Sequence, residues 1–252
     1  MAGHSKWKNI QHRKGRQDAQ RGKLFNMLSR EIFVAVRNGG PDPDANSRLR
    51  AAIQKARDNN MPNSNIENAI NKASGNIEGV TYDEIVYEGY GPGGVAVMVE
   101  CLTDNRNRTA AEIRHIFSKN GGNLGESGCV SFLFEKKGII TLSLEDNGLD
   151  EDAVLLEALE AGAEDVQVED AEAEITTTPA ECEQVRQNLE SAGYKLLSAE
   201  VTFVPSTTVA LEAEKDAASM LKLMEALEDN DDVQHVYANF DIDPELMAEM
   251  TK

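Results

Sequence analysis

Positively charged side chains gather around the single tryptophan near the start of the chain. Lys6-Trp7-Lys8 places an indole ring between two ammonium groups. Lys and Arg neutralise phosphates and release condensed counterions, while a planar aromatic ring can stack on an exposed base. These residue types predict a nucleic-acid contact, for which the candidates in this segment are Lys6, Trp7, Lys8, His12, Arg13, Lys14, Arg16, Arg21 and Lys23. The alternative for Trp7 is a hydrophobic anchor that packs the segment against its own protein.

Four further cations are predicted to lie on one helix. Arg48 and Lys55 are seven residues apart, as are Arg50 and Arg57, so the four form two basic rows on the helix surface. Between the rows runs an apolar stripe made of Leu49, Ala52, Ile53 and Ala56. We include the four cations among the candidate nucleic-acid-binding residues, because a basic helix can enter a major groove.

A second candidate anion site lies between a predicted strand and the helix that follows it. Arg106 and Arg108 place two guanidinium groups beside the main-chain amides of a helix start. Such amides and cations together favour an anion. The structural alternative is that Asp104 or Asn105 caps the helix. The two arginines would then pair with carboxylates, for which the candidates are Glu84, Glu88 and Glu112.

The charge of the chain is distributed very unevenly along its length. The net charge is −19, yet residues 1–75 carry a net of +8, residues 76–140 a net of −3 and the remaining 112 residues a net of −24. Such asymmetry indicates polyanion binding at the basic end. The acidic remainder would be repelled by phosphate, and its charge suggests contact with a protein partner instead. The alternative is a basic tail that balances the acidic body within the same molecule.

The motifs that would specify an enzyme are missing. Gly89, Gly91 and Gly94 match G-x-G-x-x-G, but a dinucleotide site needs a helix after the glycines, and here a strand pattern follows. We therefore interpret the glycines as a hairpin turn. No P-loop or nucleophile-elbow motif is present, and none of the four histidines has metal-ligand spacing. The sequence predicts a protein without catalytic activity, cofactor or metal.

Composition favours a globular protein of a reducing compartment. Hydrophobic residues make up 40% of the chain and charged residues 27%. The longest uncharged stretches, Gly89–Val99 and Val201–Leu211, are 11 residues long, whereas a membrane span needs about 20. The three cysteines form no C-x-x-C pair. We expect a soluble, cytoplasmic protein with no membrane partner.

The amino-terminal third is predicted to be a basic arm followed by helices. Residues 1–23 show no helical or strand period and are interpreted as an extended arm. Residues 24–78 are predicted to form a bundle of three helices. The first ends at Gly39-Gly40, the second begins near Asp42-Pro43 with Asp42 as its N-cap, and the third begins at a capping box over Ser64–Glu67.

From Tyr82 the pattern changes to that of strands. Ile85–Tyr90 and Val95–Leu102 are predicted to pair as a hairpin, followed by a helix over Arg108–Lys119 and a strand over Cys129–Glu135. After a long gap the chain returns with three elements of the same kind: a strand at Thr208–Leu211, a helix at Lys215–Glu228 and a strand at Val233–Phe240. We interpret residues 79–136 plus 207–245 as one discontinuous α/β domain.

Residues 137–206 are predicted to form elements in the order β-α-β-β-α-β, which is the order of a ferredoxin-like domain. The predicted elements are Gly138–Leu144, a helix over Asp150–Ala161 bearing Val154, Leu155, Ala158 and Leu159, then Asp165–Val168, Ala173–Thr178, Pro179–Ala192 and Leu196–Val204. The third strand has no aromatic residue, so the sheet does not resemble that of an RNA-recognition domain. The predicted fold class is α+β with three domains: the three-helix bundle, the discontinuous α/β domain and the inserted ferredoxin-like domain.

Several stretches of the sequence carry a family resemblance. MAGHSKW, HRKG, QDAQRGK, YEGYGPGG, ECLTDNRNRT, GGNLG, VPST and LEDNDDVQHVY closely resemble the YebC/PmpR family, from residue 2 to about residue 240. This family includes the mitochondrial translational activator of cytochrome c oxidase subunit I. The resemblance implies a three-domain, cytoplasmic and non-catalytic gene-expression factor. Bacterial members are described as transcriptional regulators that bind promoter DNA, and others as ribosome-associated translation factors.

Two functions remain open from the residues alone. The first is a DNA-binding transcriptional regulator that uses the basic residues of positions 1–75. The second is a ribosome-associated translation factor that places the same residues against ribosomal RNA. DNA and RNA would both bind these cations through their phosphates, so the cations do not separate the two functions. A flexible arm with one aromatic residue suits irregular RNA, whereas the helix that carries Arg48 and Arg57 suits a DNA groove.

Overall fold

The computed structural model of the protein describes residues 17–75, 81–169, 171–243 and 246. Within these ranges the fold is mixed α+β, with two four-stranded antiparallel sheets. The helices are α1 (Gln17–Gly39), α2 (Ser47–Asp58), α3 (Asn63–Ser74), α4 (Arg106–Lys119), α5 (Leu144–Asn147), α6 (Glu151–Ala161), α7 (Cys182–Ser191) and α8 (Glu214–Glu228). The strands are β1 (Asp83–Tyr90), β2 (Ala96–Thr103), β3 (Asn123–Leu124), β4 (Phe134–Ser143), β5 (Asp165–Glu169), β6 (Glu172–Thr177), β7 (Leu196–Pro205), β8 (Val209–Ala210), β9 (Val233–Ala238) and β10 (Phe240–Asp241).

The first three helices share one apolar core. Its fully enclosed residues include Leu28 and Ile32 from α1 and Leu49 and Ala56 from α2. The start of α1 differs from the sequence-based expectation, because residues 17–22 are helical rather than part of an extended arm. This stretch is rich in good helix formers, and extending an existing helix needs no new nucleus, so Gly22 does not interrupt it.

Asn46, and not Asp42, is the N-cap of α2. The side-chain oxygen of Asn46 accepts a hydrogen bond from the Leu49 amide at 3.0 Å. Its side-chain amide donates to the carbonyls of Ala35 and Gly40, each at 2.8 Å. Asparagine carries both a donor and acceptors, so one buried side chain closes the end of α1 and the start of α2. Asp42 instead accepts from the Asp44 amide in the turn between them.

The capping box predicted for α3 is also wrong. The helix begins after Pro62, which occupies the N-cap position, and no side chain caps it. Proline fixes its own backbone angle near the value that leads into a helix, so the start of α3 is set by Pro62 and not by Ser64. The end of α3 at Gly75 agrees with the prediction.

The first sheet has the strand order β3-β1-β2-β9. The predicted hairpin is confirmed, with Asp83 opposite Thr103 and Tyr90 opposite Ala96. Its connection is a single 3-10 turn, in which Gly93 has a φ of +71°. A β-carbon at Gly93 would lie 2.4 Å from the Leu211 side chain, so the glycine is needed for close packing as well as for the turn. The dinucleotide pattern is therefore a hairpin connection.

Strand β9 pairs with β2 although about 130 residues separate them. Val97 lies opposite Ala238 and Val99 opposite Val236. Helices α4 and α8 cover one face of this sheet, where Ile113, Phe117 and Met220 are completely buried. The chain thus returns to its own first sheet after residues 134–205. The predicted strand at Thr208–Leu211 is shortened to β8, which pairs with β10 outside the four-stranded sheet.

Strand β4 is continuous across the predicted boundary between the discontinuous α/β domain and the ferredoxin-like domain. It pairs with β7, with Phe134 opposite Pro205 and Leu142 opposite Leu196, and with β6 on its other side. The sequence-based division into a strand at Cys129–Glu135 and another from Gly138 is wrong. Gly138 lies within the ladder, opposite Thr177 and Val201. A glycine is required there because a β-carbon would collide with Thr177 and Cys182, at 2.2 and 2.5 Å. The glycine therefore marks close packing and not a strand end.

The second sheet has the strand order β5-β6-β4-β7. Apart from the added turn α5, residues 134–205 follow the predicted order β-α-β-β-α-β. Helix α6 differs in one respect: Val154 and Ala158 are buried, but Leu155 and Leu159 are 42% and 47% exposed. A single narrow stripe of α6 faces the core, and the neighbouring stripe, about 100° round the helix, faces outward.

Candidate nucleic-acid interface

The amino-terminal candidates divide at the start of the described chain. The predicted contacts Lys6, Trp7, Lys8, His12, Arg13, Lys14 and Arg16 lie outside the described residues. Arg21 is exposed on α1, with its guanidinium 5.3 Å from the centre of the Phe25 ring. Arg21 is thus placed on the surface as a nucleic-acid contact requires.

Lys23 is held by the protein itself. Its ammonium donates a hydrogen bond to the main-chain carbonyl of Glu228 at the carboxyl end of α8. Burial lowers the pKa of Lys23, against the opposing effect of Asp229 and Asp231. A cation at the carboxyl end of a helix also compensates the helix dipole. The structure therefore gives Lys23 an interhelical contact between α1 and α8.

The two basic rows of α2 have different surroundings. Arg48 forms an ion pair with Glu84 on β1, and Lys55 pairs with Glu31 on α1 at 3.3 Å and lies 3.5 Å from His235. This row faces the first sheet. The buried stripe between the rows is the predicted one.

The other row of α2 faces outward. Arg50 is exposed and donates to the carbonyls of Pro43 and Asp44, at 2.7 and 3.3 Å. Arg57 is exposed, and its guanidinium forms no hydrogen bond or ion pair with the described residues. An incoming phosphate can therefore reach Arg50 and Arg57 without breaking an ion pair between α2 and the sheet.

Arg106 and Arg108 both have carboxylate partners. Arg106 lies 3.6 Å from Asp83, with both side chains more than half exposed. Arg108 donates to Asp104 at 3.0 Å and to Asp232 at 2.6 Å. Asn105 caps α4 by accepting a hydrogen bond from the Arg108 amide. This geometry is that of the structural alternative, although the acids are not the three glutamates expected from sequence.

Asp232 is a buried acid that sequence reasoning missed. Only 3% of the residue is exposed, and its carboxylate accepts hydrogen bonds from Arg30 at 3.0 Å and from Arg108 at 2.6 Å. The hydroxyls of Thr109 and Thr103 complete the shell at 2.8 and 3.1 Å. In the sequence Asp232 ends an acidic run that is typical of a solvated surface, so no local signal identifies it.

The pKa of Asp232 reflects two opposing effects. Burial alone would raise the pKa of the carboxyl group, but the hydrogen bonds from Arg108, Thr109 and Arg30 outweigh burial and hold the pKa below its ordinary value. The carboxylate is therefore charged in the folded protein. Arg30 also donates to the carbonyls of Leu102 and Asp231, so it connects α1 to the end of β2 and to the loop before β9.

A second buried acid organises the loop before β4. Glu88 on β1 is 5% exposed and accepts hydrogen bonds from three backbone amides, those of Gly128, Val130 and Ser131, at 2.7, 2.8 and 2.8 Å. Burial would raise the pKa of Glu88, but the three amides together lower it. The clamped loop presents Phe132, which is 71% exposed.

Replacing Glu88 with glutamine is expected to destabilise the protein by about 2 kcal/mol at neutral pH, because the uncharged amide cannot accept all three hydrogen bonds. The pKa of Glu88 is depressed, so its contribution is complete above the unfolded value of about 4.5 and disappears as pH falls through the folded value. Urea unfolding at pH 7 and near pH 3 measures both effects. Glu126→Gln, an exposed change in the same loop, is the matched control and should leave stability unchanged. Equal stability of the Glu88 variant and wild type at pH 7 would contradict a stabilising role for the three hydrogen bonds that Glu88 accepts.

Two further properties bear on the kind of site. Within the described ranges, no helix combines the length and the apolar character that a membrane crossing requires. In the same part of the chain, His, Cys, Asp and Glu side chains form no group of three or more that could hold a metal ion.

Comparison with known proteins identifies the family. Residues 5–76 match the family described as the TACO1/YebC protein N-terminal domain, and residues 82–240 match the TACO1/YebC second and third domain. The chain belongs to the TACO1/YebC family. The resemblance found in the sequence is thereby confirmed.

Relatives of the TACO1/YebC family support this assignment over the full length. A protein from Halothermothrix orenii is 58% identical over 252 residues, which covers 100% of both chains, and one from Natranaerobius thermophilus is 57% identical over 248 residues, covering 98% of this chain and 99% of that protein. Each bears the name "Probable transcriptional regulatory protein". The crystal structure of the conserved hypothetical protein Aq1575 from Aquifex aeolicus is similar, with 53% identity and a TM-score of 0.81 over 90% of this chain and 92% of that one.

Proposed function

We propose that this protein is a non-catalytic, DNA-binding transcriptional regulator that contacts promoter DNA through its basic amino-terminal region. The observation that carries the proposal is the charge distribution: residues 1–75 have a net charge of +8 within a chain of net charge −19. A polyanion is attracted to one end of such a molecule and repelled by the other. The names of the similar proteins point the same way.

The proposed contacts are the predicted cations of the amino-terminal segment together with the outward row of α2. Arg50 and Arg57 are exposed on α2, and Arg21 is exposed on α1. Arg48 and Lys55 are paired with Glu84 and Glu31, so their proposed contribution to phosphate binding requires exchange of those ion pairs. The Arg48–Glu84 pair is exposed, and exposed ion pairs contribute only about 0–1 kcal/mol, so its exchange costs little. The side chains of Lys55 and Glu31 are 30% and 29% exposed, so exchange of that pair costs more.

Salt dependence gives a direct test of this proposal. Six to eight phosphate contacts predict a slope of about −5 to −7 when the logarithm of the binding constant for duplex DNA is plotted against the logarithm of salt concentration. Fluorescence anisotropy with a labelled promoter fragment and full-length protein measures the slope. A binding constant that does not change with salt would show that phosphate contacts do not drive the interaction.

The second candidate function is a ribosome-associated translation factor. What favours it is the single tryptophan among the cations of residues 6–8, because an aromatic ring can stack on an unpaired base. Crosslinking in cells, followed by sequencing of the bound nucleic acid, separates the two functions. Promoter DNA supports the first and large-subunit ribosomal RNA supports the second. Either function places the protein in the cytoplasm, where both targets are found.

We further propose the domain division predicted from sequence, namely residues 24–78, residues 79–136 plus 207–245 and the inserted ferredoxin-like residues 137–206, with the first domain extended to the start of α1 at Gln17. Three of the four apolar cores of the described residues, built around Leu28, Phe117 and Ile140, support this division. The fourth, which contains Met98, Phe134 and Tyr237 with Phe203 packed against it, lies where the middle and inserted domains meet. The boundary at residues 136 and 137 falls within β4, so the inserted domain would be joined by a two-stranded ribbon. The acidic residues 141–252 are proposed to face a protein partner instead of nucleic acid.

A further inference from the structure

A polar cleft opens between α1, α3 and the residue that precedes β1. Its volume is about 490 Å³, within the range of about 300–1,000 Å³ that is usual for small-ligand sites. Most of its lining side chains are polar or aromatic, in contrast to the apolar core of the same three helices. The lining residues are Asn26, Ser29, Arg30, Phe33, Asn65, Asn68, Ala69, Lys72 and Tyr82.

Asparagine side chains dominate the cleft. Asn65 and Asn68 are three residues apart on α3 and so lie on one face, and Asn26 faces them from α1. No described residue forms a hydrogen bond with any of these three side chains. Each amide offers two donors and one acceptor oxygen. Asparagine is a poor helix former, so its repeated use in α3 is not explained by helix stability.

An aromatic wall closes one side of the cleft. The rings of Phe33 and Tyr82 meet edge to face, with centroids 5.5 Å apart. The Arg30 guanidinium lies 5.5 Å from the centre of the Tyr82 ring, while the same side chain is fixed by Asp232. Because Arg30 is held by buried contacts, the aromatic wall is positioned before any ligand arrives.

Positive charge lies at the rim of the cleft. Lys72 lines it and is exposed on α3. The Arg37 guanidinium lies 5.4 Å from the centre of the Phe33 ring. An anionic group bound beside the cleft would meet these cations, whereas the amides below them suit a neutral planar group with donors and acceptors.

We infer that this cleft binds an unpaired base of single-stranded nucleic acid, with Asn65 and Asn68 hydrogen-bonded to the base edge and Lys72 beside the neighbouring phosphate. Paired amide contacts of this kind discriminate between bases. A duplex keeps its bases stacked inside the helix, so placing one in this cleft would require flipping it out at a cost on the order of a few kcal/mol, whereas a single strand offers its bases directly. The inference rests on the proposed nucleic-acid binding, and it assigns an unpaired base to this cleft, separate from the duplex that the amino-terminal cations are proposed to contact.

The test compares two variants of the full-length protein. Asn65→Ala/Asn68→Ala removes the amides, and Asn71→Ala changes an exposed asparagine on the same helix that does not line the cleft. Alanine favours helix more than asparagine, so both variants should fold. The probes are fluorescein-labelled 12-nucleotide single strands of adenine, uridine or cytidine, and a labelled 12-base-pair duplex. We expect the double variant to bind its preferred single strand about tenfold more weakly, with duplex binding unchanged and the Asn71 variant like wild type.

The outcomes separate this inference from the proposed function. Unchanged single-strand binding by the double variant overturns the cleft as a base site, while duplex binding by wild type keeps the proposed function. Equal weakening of single-strand and duplex binding also overturns it, because the amides would then act through a general phosphate contact. If wild type binds neither probe, the proposed function itself fails. As a second readout, adding adenosine or uridine monophosphate should shift the side-chain amide NMR signals of Asn65 and Asn68 but not that of Asn71.

Discussion

Replacing Lys6, Lys8, Arg13 and Lys14 with glutamate is expected to weaken binding to duplex DNA about a thousandfold at roughly 0.15 M salt. Each phosphate contact adds about 0.9 to the salt slope, and losing four of them removes about three powers of ten at this concentration. The slope should become shallower by about 3 to 4 in the same experiment. The measurement is fluorescence anisotropy over a series of salt concentrations.

A matched variant controls for the change in net charge. Lys119, Lys195, Lys215 and Lys222 are exposed cations outside the proposed interface, and their replacement by glutamate alters the net charge by the same amount. Binding by this control should fall far less than binding by the amino-terminal variant, and the melting temperature of the amino-terminal variant should match wild type. Equal losses in the two variants would mean that net charge, and not the amino-terminal cations, sets the affinity.

Replacing Asp232 with alanine should lower the free energy of unfolding by about 3 kcal/mol. The substitution leaves Arg30 and Arg108 without their shared carboxylate and the Thr103 hydroxyl without its acceptor, while the Thr109 hydroxyl keeps the Asn105 carbonyl. Urea unfolding measures the loss. Amide hydrogen exchange should also quicken in α1, because the variant loses the hydrogen bond from Arg30 of this helix to the Asp232 carboxylate.

The neighbouring Asp231 provides the control for this substitution. Asp231 is exposed, so Asp231→Ala should change the free energy of unfolding by less than about 0.5 kcal/mol. The pKa of Asp232 is depressed, so its stabilising effect is complete above the unfolded value of about 3.8 and is lost as pH falls through the folded value. The difference between wild type and the Asp232 variant should therefore shrink in acid. An Asp232 variant as stable as the Asp231 variant at pH 7 would contradict a stabilising role for the buried carboxylate.

Local patterns in the sequence predicted the parts of the fold that depend on near neighbours. The stripe of Leu49, Ala52, Ile53 and Ala56 is buried as its spacing indicates. The hairpin of β1 and β2 follows from two β-branched runs around a glycine-rich turn. In both cases the deciding interactions lie within a few residues of each other, so periodicity and turn chemistry suffice.

Element boundaries were predicted less well where a distant partner decides them. Asp42 is as good an N-cap as Asn46 on local chemistry, but only an asparagine can also donate to the end of α1. Gly138 looks like a strand end but lies within β4. The position is a glycine because Thr177 and Cys182 pack against its backbone, and neither contact can be foreseen from local sequence. The cleft of Asn65 and Asn68 was likewise invisible, because its other wall comes from α1 and Tyr82.

The sequence by itself determined the α+β class, the uneven charge and the family. Hydrophobic period and charge are properties of single segments, so they can be read without knowing which segments meet. The tertiary structure alone decided that Arg30 and Arg108 converge on Asp232, across 202 and 124 positions of the chain. Local sequence does not show which acid pairs with an arginine at such separations. Any of the chain's many acids could be the partner until folding brings one carboxylate close to it.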